Sequence, residues 1–303
     1  MIELAVGSYV RLAPGELAAR AEKAVSLLAR CSVCARDCRV DRLEGVRGAC
    51  RGGRRAVVAS YGPHFGEEDV LVGTHGSGTI FFSHCNLQCL FCQNYEISHG
   101  GEGDEVTAGE LAGIMLKLQE KKCHNLNLVS PSHFVPQILE ALAIAAGEGL
   151  SLPLVYNSGG YDSLAALKLL EGVVDIYMPD IKFADDEAGL KYCGVNGYFT
   201  VVRQAVKEMH RQVGDLQLDE RGVAVRGLLV RHLVLPGNLA RTEKVMEFLA
   251  GEISKDTFVN LMDQYYPAYR AREIPQLSRR VTAAEFSRAC RAAKEAGLTR
   301  IYA

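Results

Sequence analysis

The residues with the clearest chemistry are cysteines, and seven of the ten in this chain fall in two tight groups. Cys85, Cys89 and Cys92, in the string CNLQCLFC, have the spacing C-x3-C-x2-C. Three thiolates on one short loop can wrap a four-iron four-sulfur cubane but ligate only three of its irons, leaving the fourth open. An open iron is a catalytic position, by the logic that separates catalytic from structural zinc sites. A zinc loop or three unconnected core cysteines are the alternatives, and neither has a fourth Cys or His at knuckle spacing to support it. The second group, Cys31, Cys34, Cys38 and Cys50, offers four thiolates at C-x2-C-x3-C-x11-C, a complete shell. It suits a second four-iron cluster relaying electrons or a structural zinc; disulfides are disfavoured by a reducing compartment. Cys123, Cys193 and Cys290 stand alone in periodic sequence and read as small buried hydrophobes.

Charged and polar candidates follow at the ends of apolar runs. In YMPDIKF, Asp180 and Lys182 are either a carboxylate and an ammonium facing a ligand or a solvated pair at a strand end. Arg231, inside the apolar LLVRHLVLPGN, must find an anionic partner, either a cofactor carboxylate or a structural Asp. His232 faces the other way by strand alternation and reads as a core residue. Asn157 in VYNSGG is a site candidate or a turn-starting Asn. His84 and His99 flank the cysteine loop without ligand spacing. Around the second group, Arg36, Arg39, Arg42, Arg47, Arg51, Arg54 and Arg55 suggest a shell for an anionic cluster, a docking face for an acidic protein, or a solvated basic face.

The elements that must position these groups change character near residue 78. Before it lies a helical stretch over 14–29 and then an irregular region rich in Cys and Arg. After it, short apolar runs alternate with amphipathic stretches of helical period, which predicts parallel strands joined by crossover helices. Strands are expected at 79–83, 125–130, 152–156, 173–178, 227–235 and 257–262, with a possible last one at 298–302. Thr107 with Glu110 and Thr282 with Glu285 have capping-box spacing, and a further helix should follow Arg241. The chain therefore divides into a Cys-rich region, 1–77, and an α/β region, 78–303, of about six βα repeats. Six repeats fall short of a closed eightfold barrel, so a partial barrel is expected, with a doubly wound sheet as the alternative. Both place the site at the carboxyl ends of the strands. The Gly-rich GTHGSG precedes a strand and so reads as an entry turn, not a phosphate loop.

With 34 Lys plus Arg against 36 Asp plus Glu, a net charge of -2 leaves no basic field for nucleic acid. No apolar run approaches the roughly 20 residues needed to span a bilayer, and no secretory signal pattern is present. The expected setting is cytoplasmic, with no membrane partner.

Cys-x3-Cys-x-aromatic-Cys, with Phe91 as the aromatic, resembles the signature of radical S-adenosylmethionine enzymes. The longer string GSGTIFFSHCNLQCLFCQNYEIS resembles the activating enzymes of glycyl radical enzymes. It is most similar to the homologs of pyruvate formate-lyase activating enzyme that carry an extra N-terminal four-cysteine cluster. The resemblance implies a (β/α)6 partial barrel whose cluster binds the amino and carboxylate groups of S-adenosylmethionine at its open iron. One electron, from a flavodoxin- or ferredoxin-type donor, then yields a 5'-deoxyadenosyl radical that abstracts hydrogen from a protein or peptide, such as the glycine of a glycyl radical enzyme. It also implies cofactor roles. Ser130 and Ser132 stand where the family has Gly-Gly-Glu, Asp180 and Lys182 match the activases' Asp-x-Lys, and Arg231 matches an Arg facing the cofactor. Gln264 and Tyr265, in MDQYYPAY, fall on the adenosine or substrate side, and Tyr266 and Tyr269 read as packing. An iron-sulfur electron carrier or redox sensor without turnover, or a radical enzyme acting on a small molecule, are the alternative functions.

Overall fold

A computed structural model describes residues 5–303; residues 1–4, the start of the Cys-rich region, lie outside the described residues. The strands are β1 Ala56–His64, β2 Ser77–Phe82, β3 Asp104–Val106, β4 Leu126–Val129, β5 Leu154–Ser158, β6 Ile176–Pro179, β7 Gln217–Leu218, β8 Ala224–Leu233, β9 Phe258–Met262 and β10 Arg300–Tyr302. The helices are α1 Glu16–Ser26, α2 Asp69–Val72, α3 Ala108–Glu120, α4 Val135–Gly147, α5 Leu164–Leu169, α6 Asp186–Cys193, α7 Tyr198–Val213, α8 Thr242–Phe248 and α9 Ala283–Glu295. One sheet runs β10-β9-β8-β6-β5-β4-β2-β1-β3, with β7 on β8. From β2 to β10 every neighbouring pair on this path is parallel, as in an open α/β barrel.

The expected strands are all present, shifted by a few residues at most. Their apolar runs are continuous because β4, β5 and β6 are covered on both faces. Leu126, Leu128, Leu154, Tyr156 and Tyr177 belong to the large core shared with the helices. Val155, Ile176, Met178 and Leu229, one residue out of phase, form a second cluster inside the curl. Both capping boxes form: the Thr107 hydroxyl accepts from Glu110 N at 3.2 Å, and Thr282 from Glu285 N at 3.3 Å.

The segment before residue 78 differs from the irregular loop expected. AVVASYGPH is strand β1, antiparallel to both β2 and β3, so the sheet extends into the Cys-rich region. Residues 65–72 then turn inward, and Leu71 of α2 plugs the curl against Val155, Ile176 and Leu229. Gly73 and Gly76 take positive φ, 48° and 82°, so GTHGSG is the entry turn that leads into β2. Among the described residues no helix is long and apolar enough to cross a membrane.

Candidate active site

β2 ends at Phe82 and the chain enters the cysteine loop through two left-handed residues, His84 at φ 67° and Gln88 at φ 54°. Such backbone is costly for non-glycine residues and persists where contacts over-determine it. Here His84 N donates to Ile97 O at 2.8 Å, Asn86 Nδ2 to Tyr161 O at 2.8 Å, Leu90 N to Tyr192 O at 2.9 Å, and Gln88 Nε2 to Ala49 O at 2.6 Å. The loop is thereby fixed to four other points of the chain. Cys85, Cys89 and Cys92 line one cleft at the carboxyl ends of the parallel strands, with Ser130, Asn157, Asp180, Lys182 and Arg231.

The charges in this cleft form a chain. Asp180 Oδ1 accepts from Arg231 Nε at 2.8 Å, and Oδ2 from Lys182 Nζ at 2.8 Å. Arg231 Nη2 donates to Asn157 Oδ1 at 2.6 Å. Burial alone would raise the Asp180 carboxyl, but Arg231 and Lys182 outweigh it and hold it down at about 2. Behind Arg231 stand Glu67 Oε2 at 3.7 Å and Glu68 Oε1 at 4.0 Å, both buried; Glu68 Oε1 also accepts from Asn260 Nδ2 at 2.8 Å. Burial raises the Glu67 carboxyl, partly offset by Arg231. These two acids reach the barrel only because residues 65–72 turn into it, and in the sequence they resemble any solvated Glu pair.

The remaining candidates divide. Ser130 lines the cleft, with φ 59° just past β4. Ser132 does not: it is buried and hydrogen-bonds Asp162 and Tyr156 beneath the strand ends. Gln264 and Phe91 line an adjoining cleft with Lys182 and Arg231. Phe91 is itself buried, edge-on to Phe183 at 5.8 Å and to Tyr265 at 6.3 Å. Tyr265 is fully buried and donates its hydroxyl to Leu277 O at 2.7 Å, so it serves as a filler and not as a lining group. His232 is buried as alternation requires, bonded to Ile181 O at 2.6 Å and Thr242 Oγ1 at 2.9 Å. Tyr269 stacks on Tyr95, ring centroids 5.3 Å apart, and both line a separate groove with Gln93 and Tyr266.

The Arg run around the second cysteine group is not one face. Arg36 donates to the carbonyls of Asn86 at 2.6 Å, Leu87 at 3.2 Å, Cys193 at 3.1 Å and Gly194 at 2.7 Å. Arg42 is buried against Gly53 O and His133 O, with Nη1 3.9 Å from Cys31 Sγ. Arg47 pairs with Glu105, Arg54 with Glu140, Arg39 with Asp37, and Arg51 donates to His99 O. Arg36, Arg42, Arg47, Arg51 and Arg54 join the Cys-rich region to the barrel, whereas Arg39 pairs locally.

Two observations test whether thiol-bound clusters fit. In the cysteine loop, Leu87 N donates to Cys85 Sγ at 3.4 Å and Ser98 Oγ lies 3.1 Å from Cys92 Sγ, contacts suited to thiolates that carry iron. Burial, then the neighbouring Cys89, push the Cys85 thiol up to about 11, so ionisation there needs a bound cation. In the second group, Cys34 interacts electrostatically with Cys31, Cys38 and Cys50, and a Cβ at Gly48 would lie 2.4 Å from Cys38 Sγ. Only glycine lets the backbone approach that sulfur so closely. Among the described residues no three His, Cys, Asp or Glu side chains are placed to close on a single ion. The donor sets fit.

An open parallel barrel with three thiols of one loop at its carboxyl rim defines a class, and the family match agrees with it. Residues 79–249, more than half the chain, match the Radical SAM superfamily, and the chain belongs to it. It is 33% identical over 302 residues to an uncharacterized protein of Methanocaldococcus jannaschii, covering 97% of this chain and 82% of that relative. A solved structure of TYW1 with a lysine-pyruvate adduct bound is similar over 72% of this chain and 73% of its own, at 13% identity and a TM-score of 0.45. The family implies a four-iron four-sulfur cluster and S-adenosylmethionine.

Proposed function

We propose that Cys85, Cys89 and Cys92 hold the four-iron cluster and that the cleft beside them binds S-adenosylmethionine, which it turns into a radical that takes hydrogen from a protein or peptide. The observation that carries this reading is the convergence of three thiols and the Asp180, Lys182 and Arg231 charges on one cleft. When bound, the cluster and cofactor supply one-electron cleavage to methionine and a 5'-deoxyadenosyl radical. The chain's part is placement. Lys182 uses one ammonium proton on Asp180 and Arg231 uses two N–H groups on Asp180 and Asn157, leaving donors for the cofactor carboxylate. Asp180 accepts from the cofactor's amino group or ribose hydroxyls. Ser130 and Gln264 border the same space, and Phe91 packs behind it. The apolar cluster around Leu71 closes the barrel below and keeps water from the radical.

The protein or peptide substrate, a glycyl radical enzyme in particular, rests on the likeness of GSGTIFFSHCNLQCLFCQNYEIS and Asp180-x-Lys182 to the activating enzymes. The second cysteine group is assigned a four-iron cluster that relays electrons from a flavodoxin- or ferredoxin-type donor. Support comes from the Gln88 to Ala49 hydrogen bond, which ties the neighbours of Cys89 and Cys50 together. The test is anaerobic reconstitution followed by reduction. Wild type should release 5'-deoxyadenosine, and alanine at Cys85, Cys89 or Cys92 should abolish release. A fully assembled wild-type cluster that cleaves nothing under strong reductants would overturn the reading.

A further inference from the structure

A buried cysteine outside both motifs touches one of the three thiols that line the cleft. Cys193, the last residue of α6, places its Sγ 3.2 Å from Cys89 Sγ, with both side chains out of solvent. Its position is fixed from two sides. Tyr192 O, one residue earlier, accepts from Leu90 N in the cysteine loop, and the Cys193 carbonyl accepts from Arg36, which also holds Asn86 and Leu87. The end of α6 and the cysteine loop are therefore one unit, and the sulfur contact is not left to a mobile side chain. Gly194, in the left-handed region at φ 62°, stops the helix at this point.

We infer that Cys193 is a positioning residue that donates its S–H to the Cys89 sulfur and thereby tunes the cluster. This rests on the reading that Cys89 ligates iron. A ligating Cys89 is a thiolate with no proton of its own, so in this pair only Cys193 can donate. A hydrogen bond to a cluster sulfur draws negative charge from it and favours the reduced state, which carries one more electron. The ligand is thus asymmetric with Cys85 and Cys92: Cys85 receives a backbone N–H and Cys92 a hydroxyl, whereas Cys89 receives a second thiol. Cys193 is not a fourth ligand in this assignment, and the open iron stays open.

The experiment is an anaerobic redox titration of the reconstituted protein followed by electron paramagnetic resonance. Wild type, Cys193→Ser and Cys193→Ala are compared at matched iron content, with Cys89→Ala as control. Cys193→Ala should keep its iron and its melting temperature, and its cluster should reduce at a more negative potential. Cys193→Ser, which retains a donor, should fall between. Equal potentials in all three proteins would overturn the inference while leaving the ligand reading intact. Loss of the cluster in Cys193→Ala, to the same degree as in Cys89→Ala, would make Cys193 a ligand and overturn it too. An unchanged cluster in Cys89→Ala would overturn the ligand reading itself, and this inference with it.

Discussion

Arg231 Nε donates to Asp180 Oδ1 at 2.8 Å across two neighbouring parallel strands, while Lys182 takes the other oxygen of the same carboxylate. Asp180 is thus the hinge of the charge chain: it orients both cations and is itself kept ionised by them. Asp180→Asn keeps the shape and removes the charge. Cofactor affinity should fall about 10- to 150-fold, the equivalent of roughly 1.5–3 kcal/mol for a charge-assisted contact. Cluster iron should not change, because Asp180 is not a ligand. Lys182→Ala should behave alike. Titration calorimetry with S-adenosylmethionine decides, and equal affinity in both variants would reduce the trio to a structural ion pair.

Arg36 joins regions that the chain separates widely, since its donors reach carbonyls at 86–87 and 193–194. Arg36→Lys cannot reproduce a fork that meets four carbonyls and should destabilise the fold by about 2–3 kcal/mol. Chemical denaturation of the metal-loaded protein measures it. A change under about 0.5 kcal/mol, the size usual for surface substitutions, would mean that the clamp adds nothing to folding.

Much of this architecture is legible from periodicity, because buried parallel strands leave apolar runs such as LPLVY and VVDIYMP that no other element explains as well. β1 is not legible: AVVASYGPH contains Gly62 and Pro63, turn residues in most contexts, and becomes a strand only through its pairing with β2. Cys85, Cys89, Cys92, Asp180, Lys182 and Arg231 are legible because their chemistry is unusual for their setting, three thiols in eight residues or a cation inside an apolar strand. Glu67, Glu68 and Cys193 carry no such signal. A Glu pair before a short helix looks solvated and a lone Cys looks like a small hydrophobe. Only the inward turn of residues 65–72 and the docking of α6 on the cysteine loop give them partners. Ser132 and Tyr265 show the converse, since proximity in sequence to the site does not decide which way a side chain points.

Two buried histidines set the acid side of the stability profile. His232 donates from Nδ1 to Ile181 O and accepts at Nε2 from Thr242, and burial lowers its pKa to about 4; burial and then Arg42 lower His133 to about 3. Unfolding releases both to an ordinary value of about 6.5. Between about 6.5 and 4 the unfolded chain therefore binds protons that the native one does not, and stability falls as pH drops through that window. Each group accounts for roughly 3 kcal/mol across it, at 1.36 kcal/mol per unit. Asp180 is shifted in the same direction but lower on the scale: its contribution is complete above about 3.9 and is lost only as pH falls towards 2. Anaerobic unfolding at pH 7.5 and pH 5 should show the drop. A flat profile over that range would mean that neither imidazole is held neutral by the fold.

What Cys31, Cys34, Cys38 and Cys50 hold can be settled by counting metal. With a second cluster, wild type should carry about eight irons per chain and the quadruple Cys→Ala protein about four. The remaining cluster should still change its spectrum on addition of S-adenosylmethionine, because its ligands lie on another loop. With zinc instead, iron should be about four in both proteins and one zinc should vanish from the variant. An electron relay would then be excluded and the group would be a staple between α1 and the barrel. The cluster is the outcome expected, since three of these thiols lie within eight residues and Gly48 leaves room for the Cys38 sulfur where a side chain would collide. Should carefully anaerobic wild type carry neither extra iron nor zinc, both assignments fail and four neighbouring free thiols remain as a redox-active site.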